Sequence, residues 1–213
     1  MKLKINEIYY SIQGESSYMG KPCIFIRLTY CNLRCTYCDS EYTFHEGNDM
    51  SIDDIIDKIK KYSCKLVEVT GGEPLFQKNC IELLERLIKE KYEVLLETSG
   101  SLSLENVPEK VVNIIDFKCP SSKMIKKNLW DNINYIKKRD EVKFVIGDKE
   151  DYNWAKEKIV KYNLTKKCTI LMSPVYDEIE SKKIVEWILR DSLNVRFQIQ
   201  LHKEIWEDKE KGV

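Results

Sequence analysis

Neither sign of charge prevails in this sequence. Its 35 Lys and Arg balance 35 Asp and Glu. That leaves no excess positive charge for a general polyanion, so nucleic acid is not an expected partner. No apolar run approaches the roughly 20 residues of a membrane-spanning helix, so no membrane partner is expected either. The first residues, Met1-Lys-Leu-Lys-Ile-Asn-Glu-Ile8, turn charged too soon for a signal peptide. Free thiols with no export signal predict a cytoplasmic setting. Linkers, low-complexity stretches and internal repeats are all missing. One domain over residues 1–213 is expected, large enough for a real core. Histidine is scarce, at two residues, which leaves little imidazole for a zinc site.

Cysteine is not scarce. There are eight, and three form Cys31-x-x-x-Cys35-x-x-Cys38. Cys23, Cys64, Cys80, Cys119 and Cys168 are scattered singly through apolar or mixed runs and read as structural residues. Zinc is the rival ligand for the trio. It usually takes four ligands, often as two paired knuckles, and no second C-x-x-C is present. Three thiolates this close suit three irons of a cuboidal iron–sulfur cluster, whose electron-carrier form has four cysteines. With three, one iron keeps an open position. Spacing favours the cluster and leaves zinc possible.

The chain alternates between strand and helix patterns. Residues 23–28 read as a strand entering the cysteine loop. Ser51 caps a helix carrying Ile52, Ile55, Ile56 and Ile59 on one face. Strands follow at Leu66–Thr70, Tyr92–Glu97, Val111–Phe117, Glu141–Ile146 and Cys168–Met172, with a last one at Asn194–Gln200. Helices read at Cys80–Ile88, about 150–162 and about Glu178–Arg190. Apolar strands alternating with helices predict an α/β fold with a mostly parallel sheet and helices outside. At this length an open partial (β/α) barrel is expected, with its site at the carboxyl ends of the strands. The Lys-rich stretch 118–143 reads as a solvated surface.

Gly71-Gly72-Glu73-Pro74 follows a strand. Glycines there let a ligand approach the backbone closely, and Glu73 is placed to accept a metal-bound amine. With the upstream trio, this resembles the radical S-adenosylmethionine (SAM) superfamily. Tyr37, before the last cysteine, fits the pattern. Glu7-Ile-Tyr-Tyr-Ser-Ile-Gln-Gly-Glu15, Phe25-Ile-Arg27-Leu, Cys38-Asp39-Ser40 and Gln200-Leu-His-Lys203 narrow the resemblance to the 7-carboxy-7-deazaguanine synthases. The likeness spans residues 1 to about 206.

The resemblance implies a lyase with a 4Fe–4S cluster on Cys31, Cys35 and Cys38, SAM on its open iron, and Mg2+. It implies conversion of 6-carboxy-5,6,7,8-tetrahydropterin to 7-carboxy-7-deazaguanine with loss of ammonia, on the route to queuosine. A 5′-deoxyadenosyl radical would take a hydrogen and return it. Substrate would be bound by Ile12, Gln13, Gly14, Glu15, Arg27 and Thr70, with the Arg27 fork suited to a carboxylate. SAM would be bound by Tyr37, Cys38, Asp39, Gly72, Glu73, Ser99, Lys118 and Ser121, with Ser173 to Tyr176 beyond. Ser40 stands where the family commonly has threonine and would offer its hydroxyl to magnesium. His202 is given no chemistry. A homodimer and an electron donor of flavodoxin or ferredoxin type are also implied. Two rivals share the trio: an activating enzyme for a glycyl-radical protein, and a zinc-binding module without enzymatic activity.

Overall fold

A computed structural model describes every residue except 207, 208 and 210. Its core is one nine-stranded sheet in the order β3-β1-β2-β4-β5-β6-β7-β8-β9. β1 (Lys2–Ile12) pairs antiparallel with both β2 (Pro22–Leu28) and β3 (Asn48–Ser51). From β2 onward every pairing is parallel: β4 (Leu66–Gly71), β5 (Glu93–Thr98), β6 (Val112–Asp116), β7 (Glu141–Ile146), β8 (Thr169–Pro174) and β9 (Arg196–Phe197). Among the described residues β3 and β9 do not pair, so the sheet stays open.

Successive strand residues point to opposite faces, and here the faces differ sharply. One face carries Ile24, Ile26, Leu28, Val67, Val69, Val94 and Leu96, covered by α1 (Ile52–Ile59) and α2 (Cys80–Lys89). Further along, Val142, Phe144, Ile146, Ile170 and Met172 are covered by α3 (Lys149–Lys161), α4 (Leu164–Lys167) and α5 (Ser181–Arg190). The α1 stripe forms as its sequence dictates. Ser51 Oγ accepts from Asp54 N at 3.1 Å, the Asp54 side chain returns the bond, and all four isoleucines are buried. On α2, Cys80, Leu83, Leu84 and Leu87 are fully buried, each leucine contributing about 2 kcal/mol by leaving water.

The opposite face of the sheet is apolar only at its base, where Tyr9, Cys23, Phe25, Leu66, Leu95, Val112 and Ile114 pack together. Above them it turns polar. Two local expectations are corrected and one edge is added. The edge made by β1 and β3 has no counterpart in the periodicity reading. The last strand is two residues long rather than Asn194–Gln200, because after the Gln198 N–H bonds Met172 O at 2.9 Å the chain turns into α6 (Leu201–Trp206). The helix expected from Glu178 starts at Ser181.

Candidate active site

The carboxyl ends of the strands open into a cavity of about 940 Å3. Cys31, Cys35 and Cys38 line it from the loop after β2, and all eight cysteines are free thiols. The loop is braced by its neighbours: Thr36 Oγ1 donates to Ser121 O at 2.7 Å, and Thr36 N to Ser122 O at 3.2 Å. Gly72 sits against it so closely that a Cβ there would lie 2.2 Å from Tyr30 O and 2.8 Å from Cys31 Cβ. Gly71, at φ +142°, has the same demand against Leu28 O.

Among the described residues no three His, Cys, Asp or Glu side chains converge on one metal-ion position. A tetrahedral zinc site needs that convergence; a cuboidal cluster spreads its cysteines over separate irons. Burial pushes the Cys31 thiol up, and the Cys35 thiol up to about 11, though Lys118 opposes the shift at both. Thiolates in such a place call for the positive charge of a metal. The donor set therefore fits an iron–sulfur cluster.

The polar inner face supplies the rest of the wall. Ile12, Gln13, Gly14, Glu15, Arg27, Tyr37, Asp39, Ser40, Thr70, Gly72, Ser99 and Lys118 all line the cavity. Arg27 Nε binds Glu7 Oε1 at 2.7 Å and its Nη2 donates to Tyr9 OH at 2.7 Å, between the rings of Tyr9 and Tyr42. Ser40 Oγ lies 3.9 Å from Cys38 Sγ. Lys118 is paired with Asp116 at 2.7 Å.

Two of the seventeen candidates of the sequence reading, Glu73 and Ser121, stand elsewhere. Glu73 is fully buried and does not line the cavity. Its carboxylate accepts from Thr98 Oγ1 at 2.8 Å and from Ser99 N at 2.8 Å, and also from Ser99 Oγ and Leu75 N. It ties the Gly-Gly turn to the end of β5 and so places Ser99; burial raises its pKa against those hydrogen bonds. Ser121 also lies outside the lining, held by Asp151 through its N–H at 2.9 Å and through its hydroxyl.

The sequence reading missed a charged network. Lys143 Nζ contacts Glu15 Oε2 at 2.9 Å, Glu97 Oε1 at 2.5 Å and Asp116 Oδ2 at 3.8 Å. Burial opposes charge on both Glu15 and Lys143. Their mutual attraction prevails, carrying Glu15 below and Lys143 well above their ordinary ranges. Gln198 and Gln200 add bonds to Glu15 at 3.4 and 3.1 Å. Leu201 N bonds Gly14 O at 2.9 Å, and the His202 ring packs where a Gly14 Cβ would be, 2.2 Å from Nδ1. So Lys118 and Lys143, at the two ends of the stretch read as solvated surface, both face the cavity. The available signal was a polar residue at alternate positions of otherwise apolar segments: Glu68 and Thr70, Asp116 and Lys118, Glu141 and Lys143.

A family model described as "Radical SAM superfamily" matches residues 25–119. The 7-carboxy-7-deazaguanine synthase of Koribacter versatilis is 44% identical over 99% of this chain and 100% of its own length. That of Chlorobaculum tepidum is 44% identical over 99% of this chain and 97% of its own. The chain belongs to the 7-carboxy-7-deazaguanine synthase family. The crystal structure of QueE from Escherichia coli matches with a TM-score of 0.80 over 95% of both chains at 24% identity, which carries the fold. Archaeal TYW1, at a TM-score of 0.60 over 83% of this chain, shares the same framework at 14% identity. Family membership implies a 4Fe–4S cluster and SAM. Full-length likeness to these synthases favours neither the glycyl-radical activating enzyme nor the zinc module.

Proposed function

We propose that this chain is a radical SAM lyase, working as one domain over residues 1–213, that converts 6-carboxy-5,6,7,8-tetrahydropterin to 7-carboxy-7-deazaguanine with loss of ammonia. The observation that carries the reading is one cavity lined both by the cysteine trio and by Gln13, Glu15 and Arg27. Cys31, Cys35 and Cys38 would hold the cluster, which with SAM supplies the hydrogen-abstracting radical. The side of the cavity formed by Tyr37, Asp39, Gly72, Ser99 and Lys118 would bind SAM, with Glu73 acting at one remove by holding Ser99.

Substrate would lie across the inner face. The Arg27 fork, oriented by Glu7 and Tyr9, would take the substrate carboxylate. Ile12, Gln13, Gly14 and Glu15 would meet the donor–acceptor edge of the pterin, and Thr70 would reach it from β4. Such paired polar groups reject analogues that leave one of them unmatched. The Ser40 hydroxyl would provide one oxygen to Mg2+, with the remainder from substrate and water. A homodimer, a flavodoxin- or ferredoxin-type electron donor and a cytoplasmic location complete the proposal. Among the described residues no helix is long and apolar enough to cross a membrane.

Metal and SAM analysis tests the radical chemistry. Anaerobically prepared protein should contain iron and sulfide, and with a reductant should cleave SAM to 5′-deoxyadenosine. Zinc without iron or sulfide would overturn the reading.

A further inference from the structure

The cavity floor gathers three carboxylates around one ammonium group. Glu15 comes from the loop after β1, Glu68 from β4 and Glu97 from β5; the cation is Lys143 of β7, at 2.9 Å from Glu15 and 2.5 Å from Glu97. The other cations nearby are engaged. Lys118 holds Asp116 at 2.7 Å, and Arg27 holds Glu7 and Tyr9, each at 2.7 Å. Glu68 is 2% exposed and its hydrogen-bond partner is neutral: Gln13 Nε2 donates to Oε2 at 2.5 Å. Tyr9 on β1 and Cys23 on β2 also face it, and burial keeps both of these neutral. Glu68 is buried and Glu15 and Glu97 are half-buried; three such carboxylates sharing one cation leave uncompensated negative charge unless one keeps a proton. Glu68 is the carboxylate without a cation.

We infer that Glu68 stands in the cavity floor as a neutral carboxylic acid and donates its proton as a hydrogen bond to an acceptor atom of the bound substrate. The inference rests on the substrate reading above and deepens it. Burial, reinforced by the Glu97 and Glu15 carboxylates, pushes Glu68 well above the ordinary glutamate range; Lys143 and Gln13 pull the other way without reversing it. The consequence is specificity. A floor otherwise rich in acceptors gains a donor, so a ring nitrogen or carbonyl with a lone pair is matched there. A substrate presenting N–H at that point is rejected, because two donors would face each other.

Glutamine reproduces a neutral acid, having one acceptor and a donor; leucine does not. Glu68→Gln should keep KM within about twofold of the parent, while Glu68→Leu should raise it about tenfold, the loss of one hydrogen bond in a dry site. The parent KM should climb as alkali titrates Glu68, and Glu68→Gln should not show that limb. Infrared spectra of the substrate-free, cluster-loaded protein at pH 7 give a readout apart from turnover. The parent should show the carbonyl stretch of a protonated carboxyl that Glu68→Gln lacks. Absence of that band, or a Glu68→Gln variant as impaired as Glu68→Leu, would overturn the inference. If the parent fails to turn over the pterin, the substrate reading fails and the band still decides the protonation of Glu68.

Discussion

The two faces of the sheet are built from the same strands and obey different physics. On β4, Val67 and Val69 are fully buried under α1 and α2, while Glu68 and Thr70, one residue over, face the cavity. The helix side is held by area removed from water, which is non-directional and spread over many residues. The cavity side is held by a few charges, each with specific partners at 2.5 to 2.9 Å around Lys143. A period of two lets one strand serve stability and chemistry at once. Damage to one face should therefore leave the other largely intact.

The sharpest break in that comparison is Cys35→Ala. It touches no apolar packing of the helix side, so the melting temperature of the cluster-free chain should hold, while 5′-deoxyadenosine formation falls below detection. Lys143→Met should follow, because it strands Glu15 and Glu97 without a cation, at a cost of about 3–5 kcal/mol at neutral pH. The sign follows from Glu15. Its pKa is lowered in the folded protein, so its contribution is present above the ordinary carboxylate range and lost as pH falls through the lowered value. The deficit of Lys143→Met should shrink on acidification; a deficit equal at all pH values in urea titrations would sink the network account. Leu83→Ala tests the other face. It should cost about 3 kcal/mol, roughly 6–12 °C in Tm, with kcat/KM of the folded protein unchanged. The smallest effect is expected for Arg27→Ala: about 2–3 kcal/mol on kcat/KM, a loss of roughly 30- to 160-fold, with iron content retained. Loss of iron as well would make Arg27 a structural residue.

The helix side was almost wholly legible in the sequence. Ile52, Ile55, Ile56 and Ile59 announce α1, and Ser51 announces its start. The trio and Gly71-Gly72 were legible as motifs, because close backbone approach leaves few residue choices. The cavity side was less legible. Lys143 and Glu97 sit singly in apolar strands, and their partners lie 128 and 46 residues from Lys143 in the chain. No local pattern pairs them. β1 was hidden because its Glu7–Glu15 segment reads as a motif. Glu73 was misplaced because a motif fixes the path of the backbone, not which way a carboxylate turns; here it turns inward to Thr98 and Ser99.

Product formation tests the account most directly. Cluster-loaded protein under anaerobic conditions, given SAM, magnesium, a reductant and 6-carboxy-5,6,7,8-tetrahydropterin, should yield 7-carboxy-7-deazaguanine by mass spectrometry together with ammonia. An intact cluster that cleaves SAM but forms no deazaguanine would contradict it.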